Sequence, residues 1–171
     1  MPSSSERWQE VISGPEARDL YRAGRAGDAV RLVMKSCYEE AAAVGPSEAA
    51  GLVTALVHRL LAEAHVPSQR KASHRGVEVD VAVPGLRGLD ADPSGVLLVC
   101  IPGTSDPGMI SRIVGSYRRI QPVPGNVWAV LPGPAEAPCR SFAAGPGGGT
   151  LAGFLDAVRG FAGSGGPSLA G

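Results

Sequence analysis

The feature that most constrains this chain is a continuous apolar run, Val96 to Ile101, followed by a helical pattern and a second apolar run from Val127 to Leu131. Six consecutive apolar residues bounded by Gly95 and Pro102 are expected of a strand buried on both faces. In the helical pattern Asp106 is the cap, Pro107 takes the first position, and Ile110, Ile113, Val114, Tyr117 and Ile120 form one stripe. Strand, helix, strand predicts a right-handed crossover joining two parallel strands. A parallel pair must be covered on both sides, which puts the fold in the α/β class.

Cover is available upstream. Val30, Val33, Met34, Cys37 and Ala41 share a face of a helix running from Asp28 to about Ala43. After Gly45 and Pro46, a helix from Glu48 to His65 carries Leu52, Val53, Leu56, Val57, Leu60 and Leu61 as a wide apolar stripe. Before them, Glu6 to Ile12 and Glu16 to Ala23 predict two short helices parted by Gly14 and Pro15. Ala17, Leu20, Tyr21, Gly24 and Ala29 resemble the helix-turn-helix junction of a tetratricopeptide repeat. A single unit has no neighbours on which to bury its faces, so the segment reads as a helical hairpin packed on the domain; its functional version is a peptide-binding groove.

Between these regions the period changes to two. Val77, Val79, Val81 and Val83 alternate with Glu78, Asp80 and Ala82, a strand whose valines face the core while Glu78 and Asp80 leave the other face together. The segment from Ser68 to Arg75 reads as a basic loop leading into it. Past Pro132 a weak strand is expected from Cys139 to Phe142, and a helix from Leu151 to Phe161. The chain has 24 glycines, and those of Gly145–Gly149 and Gly163–Gly171 read as flexible linker and tail. The expected division is an N-terminal helical hairpin over 1–46, an α/β core over 47–142, and a Gly-rich linker, short helix and flexible tail over 143–171.

Sixteen basic and sixteen acidic residues cancel, so no whole-chain field draws a polyanion and any such site is a local patch. Only Lys35 and Lys71 among the basic residues are lysines. Cys37, Cys100 and Cys139 show no CxxC spacing, which fits free thiols in a reducing compartment. With no leader-like or membrane-spanning apolar stretch, the reading is a cytoplasmic protein with no membrane partner.

From Leu52 to Leu131 the chain resembles the core of the PD-(D/E)XK nuclease superfamily, the restriction-endonuclease-like fold. The residues that carry the likeness are the helix from Glu48 to His65, the strand GVEVDVAVP with Asp80, the strand GVLLVCIP, the helix with Arg112, Arg118 and Arg119, and the strand NVWAVLP. The resemblance implies a small mixed sheet in the order helix, strand, strand, helix, strand. It also implies an acid on the first strand and an acid-x-Lys triplet on the next, which together hold Mg²⁺ and position the attacking water. Asp80 matches the first acid. The triplet falls on Cys100, Ile101 and Pro102, which bring neither carboxylate nor lysine. A shorter likeness, ISRIVGSYRRI followed by a strand, is to archaeal-type transfer-RNA splicing endonucleases, without that family's catalytic tyrosine, histidine and lysine.

If the metal ligands have relocated, Glu78 joins Asp80 on one strand face, Glu48 or Glu63 approaches from the helix, and Lys71 orients water. Otherwise Glu78 and Asp80 are a solvated strand face. Arg70, Lys71, His74 and Arg75 form one basic cluster and Arg112, Arg118 and Arg119 another; in this fold both are placed to border one groove for phosphates, and otherwise they are solvated surface. His58 and His65 lack a third ligand at metal spacing, and Cys100 reads as an inert core thiol.

The sequence reading is therefore a catalytically degenerate nuclease-fold protein, a binding or structural subunit associated with DNA or RNA, with no cofactor expected. One alternative is an active Mg²⁺-dependent endonuclease or exonuclease using Asp80, Glu78 and Lys71. The other is a protein-interaction module, with a protein partner or a second copy on the helical hairpin.

Overall fold

The structure, a computed structural model, describes residues 3–164. Four helices come first: α1 Ser4–Ile12, α2 Pro15–Arg22, α3 Ala26–Val44 and α4 Pro46–Glu63. Two strands follow, β1 Gln69–His74 and β2 Val77–Val83, then a short α5 Gly88–Ala91 and β3 Leu97–Cys100. The chain continues through α6 Pro107–Ile120, β4 Val127–Leu131, β5 Arg140–Ala143 and α7 Phe154–Ser164. The strands form one mixed sheet in the order β1-β2-β3-β4-β5, antiparallel through β3 and parallel from β3 to β5. The expected crossover is present, with α6 joining the parallel pair β3 and β4. No helix among the described residues is long and apolar enough to cross a membrane.

Both faces of the sheet are buried, so neighbouring residues of β3 and β4 point into different cores. Leu97, Val99, Trp128 and Val130 face a layer of helices built from α1, α3, α4 and α7. Leu98, Cys100, Val127, Ala129 and Leu131 face α6. Asp106 caps α6 by accepting from the Met109 N–H at 3.0 Å, as its position before Pro107 predicts. At the first helix the cap is Ser3, in a reciprocal capping box with Glu6.

β2 departs from the expected pattern. Val77 and Val79 face α6, whereas Val81 and Val83 face the helical layer, so the four valines do not share one face. The strand changes sides around Asp80. Across from it, Lys71 has a left-handed backbone with φ 49°, and it is missing from an otherwise continuous register that pairs Arg70 with Val81 and Ala72 with Val79. An irregularity of this kind bends a strand and re-aims its side chains. Because cores lie on both sides, either set of valines finds cover, and a strictly alternating sequence carries no sign of the switch.

The segment expected as a basic loop is the edge strand β1. It is polar on both faces and mostly exposed, which removes the apolar alternation that reveals a strand. Arg75 and Gly76 close the hairpin with φ 50° and 80°, the two positive angles that a tight turn of this hand requires.

The segment expected as a linker is also built into the fold. Ala144 is buried and donates its N–H to Leu131 O at 2.7 Å, and Ala143 donates to Thr150 Oγ1 at 2.6 Å. Leu151, Phe154, Leu155 and Val158 then enter the same core as the N-terminal helices. Phe154 meets Phe142 edge-on at 5.3 Å, and Phe161 meets Trp128 at 6.2 Å. The glycines here serve turns rather than slack. Of the tail expected to be flexible over Gly163–Gly171, residues 163 and 164 belong to α7, and the rest lies outside the described residues.

Candidate functional site

The carboxyl ends of β3 and β4 meet the start of α4, and a cleft opens there. In open α/β sheets this end of the strands is where ligands bind. β2 runs opposite to β3, so its early residues lie at the same end. Continuing the Val81–Val99 register by one step sets Asp80 opposite Cys100.

Asp80 is fastened in three ways. Its Oδ2 accepts the Ile101 N–H at 2.7 Å and the Tyr117 hydroxyl at 3.3 Å, while its own N–H donates to the Tyr117 oxygen at 2.8 Å. One phenol from α6 thus serves Asp80 both as donor and as acceptor. Burial pushes the carboxyl above the ordinary range; the Ile101 N–H, the Tyr117 hydroxyl and the charge of Lys71 work the other way. Burial also raises the Tyr117 phenol and the Cys100 thiol well above their usual values, the thiol having no cation beside it. Cys100 is fully buried on β3.

Of the other expected ligands, Lys71 lines the cleft with Asp80, together with Ser47, Thr54 and Gly103. Glu78 is exposed on β2 and does not line it. Glu48 accepts from Trp8 Nε1 at 3.1 Å, and Glu63 pairs with Arg59 at 2.9 Å. Among the described residues no three of His, Cys, Asp and Glu gather where a metal ion would be held. The divalent cation implied by the resemblance needs several clustered oxygens. This donor set of one carboxylate, already bonded to a phenol and an amide, does not fit it.

Arg70 and Lys71 are exposed on β1, near the cleft. Arg75 pairs with Asp90 at 2.8 Å, with His74 at 3.5 Å from the same carboxylate. α6 lies on the other sheet face, and its last turn sits by the start of β3, where Gln121 Nε2 donates to Val96 O at 2.7 Å. There Arg118 donates to Pro138 O at 2.8 Å and so anchors the loop before β5. Arg112 and Arg119 are exposed on that helix. Arg118 and Arg119, in the last turn of α6, therefore lie by the start of β3, away from the strand ends where Lys71 lines the cleft.

Three contributors are missing from the sequence reading. Tyr117 is assigned to the apolar stripe, which is right for its ring and silent about its hydroxyl. The Ile101 N–H is a backbone group. Thr54 sits within an apolar helix stripe, 4% exposed, and donates to Ala50 O at 2.8 Å. The one available signal for the loop is Gly103, with φ 69°, where a Cβ would meet Pro46 O at 3.3 Å.

No protein-family model matches the chain, and no curated protein matches it significantly. Among solved structures it is similar to the restriction endonuclease PspGI in a complex with its substrate DNA. The TM-score is 0.59 and the identity 13%, over 77% of this chain and 68% of that one. At that identity the likeness concerns the backbone alone: five strands, helices on both faces, and a cleft at the strand ends are arranged as a restriction-endonuclease-like fold.

Proposed function

We propose that this protein uses a restriction-endonuclease-like fold without that fold's metal chemistry, and works as a binding or structural subunit on nucleic acid. The observation that carries the reading is the surroundings of Asp80. Where metal-dependent hydrolysis needs a second acid and a lysine, the chain has Cys100, Ile101 and Pro102, and the carboxylate is bonded to Tyr117 and the Ile101 amide. Support for a polyanion comes from Arg70 and Lys71 on the edge strand beside the cleft, in a fold whose solved neighbour is bound to DNA.

The test is direct. The full chain is titrated against labelled single- and double-stranded DNA and RNA over a salt series, with and without Mg²⁺ or Mn²⁺. Binding that weakens steeply with salt, and weakens further in Arg70→Glu with Lys71→Glu, is expected, with substrate left intact. Metal-dependent cleavage that disappears in Asp80→Ala would refute the loss of metal chemistry. No binding at low salt would refute the nucleic-acid assignment.

A further inference from the structure

The cleft has two compartments. One is a chamber of about 180 Å³ with apolar walls from Tyr38, Val53, Val130 and Pro132. The other is a polar recess of about 330 Å³, edged by Ser47, Thr54, Lys71 and Asp80. Pro46, Ala50, Ile101 and Gly103 belong to the walls of both, so the compartments adjoin.

We propose that this cleft binds a single nucleotide, with its base in the apolar chamber, its sugar hydroxyls on Asp80 and Thr54, and its phosphate at Lys71. The chamber's size sets the first part. A dry cavity of about 150 Å³ takes up benzene, so this one holds a single ring system and excludes a duplex. Its wall offers the Tyr38 ring, whose hydroxyl is already spent on Pro132 O at 3.1 Å, and π-faces of any base suit such a surface. The polar groups set the second part. Asp80 Oδ1 takes part in neither of the bonds that hold Oδ2, and the Thr54 oxygen, having donated to Ala50 O, retains acceptor lone pairs. Two acceptors lining one recess match a ligand that brings hydroxyl donors, as a sugar does. Lys71, exposed at the mouth, supplies the positive charge; it stands across the hairpin from Asp80, between the Arg70–Val81 and Ala72–Val79 pairs.

The choice of a phosphate-bearing ligand rests on the nucleic-acid reading above. The same chemistry is met by a free ribonucleotide and by the 3′ end of an RNA strand.

Calorimetric titration of the full chain with AMP, GMP, adenosine and inorganic phosphate tests the site. A fluorescent single-stranded RNA ending in a 3′ hydroxyl, and the same strand ending in a 3′ phosphate, distinguish the sources. Saturable nucleotide binding is expected, about tenfold weaker in Lys71→Gln and abolished by Ala50→Phe, which fills the shared wall; Lys71→Gln alters only an exposed side chain and so keeps the test valid if Ala50→Phe folds poorly. RNA that binds only with a free 3′ hydroxyl assigns the site to a strand end, and nucleotide binding with no RNA binding assigns it to free nucleotides while refuting the polynucleotide reading. The proposal is overturned if nucleotides do not bind, if phosphate alone binds as well as AMP, or if RNA binds with equal strength in Lys71→Gln and Ala50→Phe. That last result would leave the nucleic-acid reading standing.

Discussion

The β3–α6–β4 crossover and the β1–β2 hairpin lie in one sheet but are built differently. In the crossover every strand residue is buried, alternate residues enter opposite cores, and the helix between them has a side-chain cap and a single apolar stripe. In the hairpin one strand is polar and exposed, the other changes faces halfway, and three backbone angles among Lys71, Arg75 and Gly76 are positive. The irregular half is where the cleft acquires its charged side chains, Lys71 and Asp80. The two regions are joined by the β2–β3 pairing and by the Tyr117 hydroxyl, which reaches from the regular helix to the irregular strand.

Four substitutions or conditions test this contrast, in falling order of effect. Leu98→Ala, in the fully buried centre of the crossover, is expected to cost about 2–5 kcal/mol, seen as a large drop in the urea midpoint with little change in slope. A loss below about 1 kcal/mol would mean that the crossover is less tightly packed than its burial implies. Tyr117→Phe keeps the ring and strands the Asp80 N–H, and is expected to cost about 1–3 kcal/mol. In a double-mutant cycle it should be strongly non-additive with Asp80→Asn, since both remove one bonded unit.

Lys71→Gly relieves a left-handed residue and is expected to gain about 1 kcal/mol while weakening phosphate binding. If it destabilises instead, the lysine side chain contributes to the fold. The smallest effect is one of pH. Burial raises the Asp80 carboxyl in the folded state, so the native protein holds its proton to higher pH than the unfolded chain does. Stability is therefore expected to fall as pH rises from the ordinary carboxylate value of about 4 through the raised one, and to level off above it. In Asp80→Asn that component of the pH profile should vanish, which paired melting curves would register.

The crossover is legible in the sequence because burial on both faces leaves no choice of residue type, and the run from Val96 to Ile101 shows it. The same is true of α3 and α4, where wide apolar stripes report one covered face. β1 is illegible for the opposite reason: Gln69, Arg70, Lys71 and Ser73 are compatible with any exposed backbone, so only pairing with β2 makes the segment a strand. The face change in β2 is hidden by valines that suit either core. The stretch from Ala143 to Gly149 has a linker's composition but a structural task, since small residues let it turn tightly and dock on β4.

At the site, residue identity located Asp80 and Lys71 but not their company. The departure at Cys100, Ile101 and Pro102 is visible in the sequence, whereas the Tyr117 hydroxyl and the Ile101 amide that occupy the carboxylate are products of folding. The remoteness of Arg118 and Arg119 from the cleft is likewise topological, because α6 runs back from the strand ends to the start of β3.

The docking of α7 bears on how the protein is made. Phe154, Leu155 and Val158 fill a core whose remaining walls are supplied by α1, α3, α4 and the sheet, and Trp128 and Phe142 have much of their cover from α7. Translation delivers that helix after every other packed element described here. Until it emerges, Trp128 and Phe142 lack the part of their cover that α7 supplies, and incompletely covered apolar surface of this kind is prone to association.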